Sequence, residues 1–404
     1  MKKSKKIYLD YASATPIDGD VLKVFNKALK ENFANASAIH DMAVENKKVL
    51  DIARKDVARF FDAHSNEIIF TSGSTESNNI VIQNFKNIIT TNIEHASILE
   101  PARLVNTTFV GVEASGIIDP KKIKKALTLE TELVSVMYAN NEIGTIQPIK
   151  EIAKEIRHFN KTNNTKILFH TDATQAVNYL DMNVERLGVD IMSFNAGKIY
   201  GPKGIGALYI RRRTPIKKII FGGDQENGIR AGTENLPAIL AFAEALKITE
   251  KIKDKENKRL KKLQEYFVNK LLKNQNSLGP RVAALNQTLD NFNSSKVKIN
   301  GDLENRLPNN INITIPKIPS DLLVIELSAR GVMVSAKSAC KSGDEKASHV
   351  IQAIRESEQG ESLLNKEVDG SIRFSMGRET TKQDIDYTLK SLSQILSKLK
   401  KWYT

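Results

Sequence analysis

Between residues 50 and 250, short runs of β-branched and other apolar residues alternate with longer amphipathic stretches. The runs are IIFTS near 68, TTFVGV near 107, ELVSVMYA near 132, KILFHTDA near 166, VDIMSFNA near 189 and GALYIRR near 206. Runs of this kind predict strands, and the helical periodicity between most of them predicts covering helices. The alternation argues for an α/β fold on an open, mostly parallel sheet with helices on both faces. Ligands of such sheets bind at the carboxyl ends of the strands. GSTESNN follows the first run, NNEIGT the third, DATQ the fourth and GK the fifth, so the polar segments collect at that edge.

A helical pattern from Leu236 to about Asn274 predicts a long helix leading out of this region. Residues 275–305 are polar and poorly periodic, which predicts loops with a short strand at Val297–Ile299. A second α+β unit follows, with a strand at NNINITI, a helix at SDLLVIELSARG, strands at VMVSA and Ser371–Met376, and a last helix from Lys382 to about Lys400. The chain holds no internal repeat and no low-complexity tract.

Composition narrows the class. The chain has 404 residues and a single cysteine, so it forms no intrachain disulfide and no cysteine-based metal site, and a reducing compartment is expected. The N-terminal MKKSKKIYLDYA lacks an apolar core and a small-residue cleavage site, and no stretch is long enough to span a bilayer, so the expected location is cytoplasmic. The net charge of +13 comes largely from dispersed lysines such as those of KIKDKENKRLKK at 251–262, where interleaved acids suggest a solvated helix face. No basic motif is interleaved with aromatics, so no direct nucleic-acid partner is expected.

The most informative stretch runs from His170 to Gly206. It sets Asp172 at the end of one apolar run and Lys198 just beyond the next. Pyridoxal 5'-phosphate chemistry needs such a pair, an amine to hold the aldehyde as a Schiff base and a carboxylate to keep the pyridine nitrogen protonated. GKIYGPKGIG lacks the spacing of a nucleotide phosphate loop, because Lys198 is followed by Ile199. In TSGSTESNN a strand end meets a helix start, so Gly73, Ser74 and Thr75 could bind a phosphate through free amides and the helix dipole, or could form an ordinary cap. His95 could stack on a cofactor ring and pass protons, or could be structural. Asn141 and Gln175 are amides at strand ends, able to orient a phenolic oxygen or a carboxylate. Cys340 lies in a polar loop with Lys337 and Lys341 nearby to stabilise a thiolate, although an isolated cysteine is also a common small hydrophobe. Arg373 could clamp a carboxylate or make a structural salt bridge.

With these residues assembled, the chain resembles the cysteine desulfurases of the class V aminotransferase superfamily, in the NifS/IscS-like branch with a long cysteine-bearing loop. The similar motifs run nearly end to end: IYLDYASATP, FTSGSTESNN, EHASILEP, VSVMYANNEIGTIQPI, HTDATQAV, MSFNAGKIYGPKGIGALYIRR, GGDQENGIRAGTEN, LPNNINITIP, SACKSG, SHVIQAI and IRFSMGRETT. The resemblance implies the pyridoxal-phosphate-dependent transferase fold, aspartate aminotransferase-like fold type I, with a large seven-stranded-type, mostly parallel sheet domain and a smaller α+β domain. Their expected spans are 16–258 for the large domain, and 1–15 with 259–404 for the small one, which carries the cysteine loop at about 335–347.

It also implies a homodimer that takes sulfur from L-cysteine and passes it to an iron-sulfur scaffold protein or a tRNA-thiolation acceptor. Lys198 would hold the cofactor, Asp172 the pyridine nitrogen, His95 the ring face, and Gln175 and Asn141 the phenolic oxygen. Gly73, Ser74, Thr75 and Asn195 would line the cofactor site, and Thr233 would reach the phosphate of the neighbouring subunit. Arg373 and Asn141 would hold the substrate carboxylate, and Cys340 would take the sulfur. No resident metal is implied, only a transient contact of Cys340 with a partner's iron-sulfur cluster. The family usually has a histidine before the lysine, where this chain has Gly197, and it also departs at Asp224, Asn227 and Lys337. Two alternatives follow: a selenocysteine lyase or other class V lyase, and a catalytically weakened binding subunit of a sulfur-assembly complex.

Overall fold

The computed structural model describes residues 6–272, 297–336, 348–359 and 370–403. A two-residue strand, β1 (Ile7–Tyr8), precedes helices α1 (Gly19–Glu31) and α2 (Asp41–Phe60). The central sheet then takes β2 (Ile68–Thr71), β3 (Asn87–Thr91), β4 (Asn106–Val110), β5 (Leu133–Ser135), β6 (Leu168–Asp172), β7 (Ile191–Asn195) and β8 (Gly206–Ile210). Its seven strands run in the order β2-β8-β7-β6-β5-β3-β4. Six point the same way, and β8 pairs antiparallel with both of its neighbours.

Strands are buried on both faces because helices cover both faces: all five residues of β8 and all four of the edge strand β2 are buried. Between them lie α3 (Ser74–Ile82), α4 (Ala96–Ala102), α5 (Pro120–Ala126), α6 (Ile149–Asn163) and α7 (Val184–Leu187). In α6 the buried residues Ile149, Ile152, Ala153 and Ile156 recur at helical spacing, which is the face laid on the sheet. In α5, Asp119 caps the Lys121 amide and Pro120 starts the first turn.

Helix α8 (Leu236–Leu272) crosses from this core to a second one. Its first half packs Phe242 and Leu246 against the large sheet; its second half packs Leu260, Leu263 and Phe267 against a three-stranded antiparallel sheet. That sheet is β9 (Lys298–Ile299), β10 (Asn310–Ile315) and, after α9 (Ser320–Ala329), β11 (Val332–Met333) and α10 (His349–Gln359), strand β12 (Gly370–Ser375), ordered β12-β10-β9. Helix α11 (Lys382–Tyr403) closes the chain. Ile7 and Leu9 join the second core, while Val350, Ile351 and Ile354 of α10 pack into the first.

Two expectations need correcting. The apolar runs named above omit β3, because NIITT carries only two isoleucines between polar neighbours, and its β-branched threonines supply the rest of the strand. The strand expected at VMVSA is only two residues long; beyond it Ser335 makes an isolated bridge to Arg373. Most of 275–305 and the cysteine loop, with Cys340 itself, lie outside the described residues. Among the described residues no helix is long and apolar enough to cross a membrane.

The core meets the chemistry at Phe194, fully buried just before Asn195, with ring centroids 4.0 Å from Phe61 and 5.9 Å from Phe242. Phe194→Ala is expected to cost about 3–5 kcal/mol, read as an earlier unfolding transition in urea. Leu104→Ala, at an 81% exposed position, is expected to change it by less than about 0.5 kcal/mol.

Candidate active site

The carboxyl ends of β2, β3, β5, β6 and β7 open on one cavity of about 290 Å³. Its wall includes Gly73, Ser74, Thr75, His95, Asn141, Asp172, Gln175, Asn195, Lys198 and Arg373. All ten are expected from the sequence at a cofactor or substrate site, and the fold brings them together. Thr233 is exposed and lies elsewhere, in a loop tied to the cavity by an ion pair of 2.9 Å between Arg230 and Glu76.

Asp172 ends β6 and is buried. It accepts from Asn78 Nδ2 at 2.8 Å and from the Thr174 amide at 3.0 Å, so its carboxylate is fixed. Asn78 also donates to Ser97 Oγ at 2.8 Å, and Ser97 meets His95 Nδ1 at 2.8 Å. His95 caps α4, accepting the Ser97 amide at Nδ1, so the neutral ring carries its hydrogen on Nε2. Burial lowers its pKa, and the positive charge of Lys198 acts the same way against the pull of Asp172.

Lys198 ends a single helical turn directly after β7, and its ammonium reaches the carbonyl of Ser13. Arg373 is buried on β12; its Nη2 bonds Asp10 Oδ1 at 2.6 Å and Ser13 Oγ at 2.5 Å, and its Nη1 bonds the Asn141 carbonyl at 2.8 Å. Gln175 Nε2 donates to the Ala12 carbonyl at 2.9 Å. Residues 10–18 therefore form a strap over the cavity. The sequence reading matched this strap as a motif and gave no residue in it a role, since much of its work is done by main-chain carbonyls.

The residues fit pyridoxal 5'-phosphate. Helix α3 starts at Ser74 without a side-chain cap, and Gly73 sits at φ +153 with nothing within 4 Å of where a Cβ would stand. An uncapped helix start facing a cavity suits a phosphate. Asn195 Nδ2 donates to Ser74 Oγ at 2.8 Å, Ser74 meets Thr174 Oγ1 at 2.6 Å, and Asn195 Oδ1 is buried without a partner. Gly206, the first residue of β8, packs so tightly that an added Cβ would lie 2.7 Å from Gly73 Cα. The turn before α3 is thus braced by the one antiparallel strand of the central sheet.

Glu94, beside His95, was missed by the sequence reading because nothing local distinguishes it from a surface acid. It is fully buried and takes the Met137 amide at 2.9 and 3.1 Å and the Thr91 hydroxyl at 2.7 Å. Burial outweighs these bonds and pushes its pKa up to about 8. A raised acid stabilises the fold fully below its ordinary pKa and loses that contribution as pH rises from about 4.5 to about 8. Glu94→Gln, neutral throughout, is expected to lose less thermal stability than the wild type between pH 5 and pH 8. Identical pH profiles of the unfolding midpoint would refute a neutral buried acid.

Residues 7–299 match the family model described as aminotransferase class-V. The chain is 41% identical to the cysteine desulfurase IscS of Dictyoglomus turgidum over 98% of this chain and 96% of that one. A solved NifS-like protein superposes with a TM-score of 0.83 at 31% identity, covering 98% of this chain and all of the other. The structure of SspA in complex with cysteine follows with a TM-score of 0.70 at 28% identity, covering 92% and 99%. The chain belongs to the class V aminotransferase family, in its NifS/IscS-like cysteine desulfurase branch.

Proposed function

We propose that this protein removes sulfur from L-cysteine, giving L-alanine and a persulfide on Cys340, with pyridoxal 5'-phosphate as cofactor. The observation that carries the reading is the delivery of Lys198 and Asp172 into one cavity from two adjacent parallel strands, opposite an uncapped helix start. The balance needs no outside reductant: a thiol and cysteine give a persulfide and alanine.

When bound, the cofactor supplies an aldehyde for amines and a ring that accepts an electron pair. Lys198 would hold the aldehyde carbon and, once displaced by the substrate amine, act as a base in a partly desolvated site. Asp172, fixed by Asn78 and Thr174, would keep a proton on the pyridine nitrogen. Gly73, Ser74, Thr75 and Asn195 would hold the phosphate, and Gln175 and Asn141 the phenolic oxygen. Neutral His95 would cover the ring and, with its hydrogen on Nε2, serve first as a donor there. Arg373 and Asn141 would orient the substrate carboxylate, and Cys340 would receive the sulfur as its bond to carbon breaks.

A homodimer belongs to this reading: Phe33, Ile39, Met42 and Phe221 are exposed apolar side chains that a subunit contact would cover. Thr233, outside its own chain's cavity, would then reach the phosphate of the neighbouring subunit. Delivery of the sulfur to an iron-sulfur scaffold or a tRNA-thiolation acceptor, in the cytoplasm, completes the reading.

Purified protein reconstituted with the cofactor should be yellow, and Lys198→Ala should lose the absorbance band. Cys340→Ser should keep the band and lose sulfide release from L-cysteine in the presence of a thiol reductant. A colourless wild type would favour a binding subunit; undiminished sulfide release by Cys340→Ser would favour a lyase.

A further inference from the structure

We propose that Asp10 is a positioning residue that presets Arg373 for the carboxylate of the substrate; this rests on the desulfurase reading above. Arg373 and Ser13 line the cavity, whereas Asp10 reaches the guanidinium from outside its wall. Three groups pin Arg373: Asp10 and Ser13 on Nη2 and the Asn141 carbonyl on Nη1. Ser13 Oγ also donates to Asp10 Oδ1 at 2.8 Å, which locks the two together. Asp10 is itself fixed, because its main chain bridges Ser375, two residues along β12 from Arg373.

Among the described residues Arg373 Nε is buried without a partner, and Nη1 uses one of its two hydrogens. A buried N–H left unpaired is costly, and a carboxylate drawn against this guanidinium would offset that cost. An arginine side chain also carries rotamer entropy, which a ligand would have to quench if nothing else did. Asp10 removes that cost in advance and neutralises a cation that would otherwise stand buried and alone. The carboxylate therefore meets a guanidinium already aimed, and Asp10 sets how tightly it is held.

The test uses holoenzyme with Asp10→Ala and Asp10→Asn. KM and kcat are measured for L-cysteine, and the binding of L-alanine and of cysteamine, the substrate without its carboxylate, is read from the absorbance of the bound cofactor. Loss of a charge-assisted bond predicts that Asp10→Ala raises KM for L-cysteine and weakens L-alanine roughly tenfold, with kcat and cysteamine binding little changed. Asp10→Asn, which keeps an acceptor oxygen at Nη2, should show a smaller shift of the same selectivity, and it decides the matter if the alanine variant does not fold. Equal weakening of cysteamine and L-alanine, or an unchanged KM, would overturn the proposal. A wild type that binds L-alanine but forms no alanine from cysteine would instead sink the desulfurase reading.

Discussion

A reactive amine on a four-carbon stem is useful only if the turn that carries it does not move, and here one buried hydroxyl fixes that turn. Thr15 Oγ1 donates to the Gly197 carbonyl at 3.1 Å and accepts the Tyr200 amide at 2.8 Å, bridging the residues on either side of Lys198. Asn178 Nδ2 takes the Lys198 carbonyl at 2.7 Å. Tyr200 adopts φ +63, a left-handed conformation disfavoured for an aromatic residue. Arg378 offsets that strain: its amide bonds the Tyr200 hydroxyl at 2.9 Å, its guanidinium lies 3.9 Å over the ring, and it is anchored to Asp18. The N-terminal strap and the segment after β12 thus meet at the lysine turn, far apart in sequence and adjacent in space.

The same edge of the sheet manages its buried charge by keeping some groups neutral. His170 and Asp172 share one face of β6, two residues apart. His170 sits between Ser135 Oγ at 2.9 Å and Ser193 Oγ at 3.0 Å, and burial pushes its pKa down to about 4. Near neutral pH it therefore carries no charge and does not cancel Asp172. Glu94, pushed the other way, adds little negative charge beside His95. The carboxylate of Asp172 is left to face a cation in the cavity, the role a protonated pyridine ring would fill.

Much of this was legible in the chain because strong local signals coincide with the elements that matter. Six apolar runs marked six strands of the central sheet, and the polar residues just past them marked the cavity wall. Strand β3 escaped because its threonines read as polar although they suit a pleated, buried strand. Asp10, Ser13 and Asn78 escaped for a different reason: each acts on a residue distant in sequence, and short polar side chains look alike until the fold pairs them. Main-chain acceptors such as the carbonyls of Ser13 and Asn141 have no sequence signature at all.

The glycine before Lys198 is the departure that most invites doubt about the cofactor site, and the local geometry answers it. A Cβ at 197 would meet Lys203 Cγ at 3.6 Å, Asn195 Oδ1 at 3.7 Å and Lys203 Cα at 3.9 Å, ordinary contacts, so the backbone does not demand glycine there. What the missing side chain leaves behind is a need for a donor, since a phosphate only accepts. Asn195 can provide it. Rotating its amide by half a turn lets the Ser74 hydroxyl donate to Oδ1 and brings the Nδ2 hydrogens to the position where Oδ1 now stands buried and unpartnered. The rotation replaces one bond with an equivalent one, and an anion at the start of α3 would give the amide hydrogens their partner, drawing the side chain into the donor orientation. A donor in that orientation would stand two positions before the glycine, at the end of the same strand.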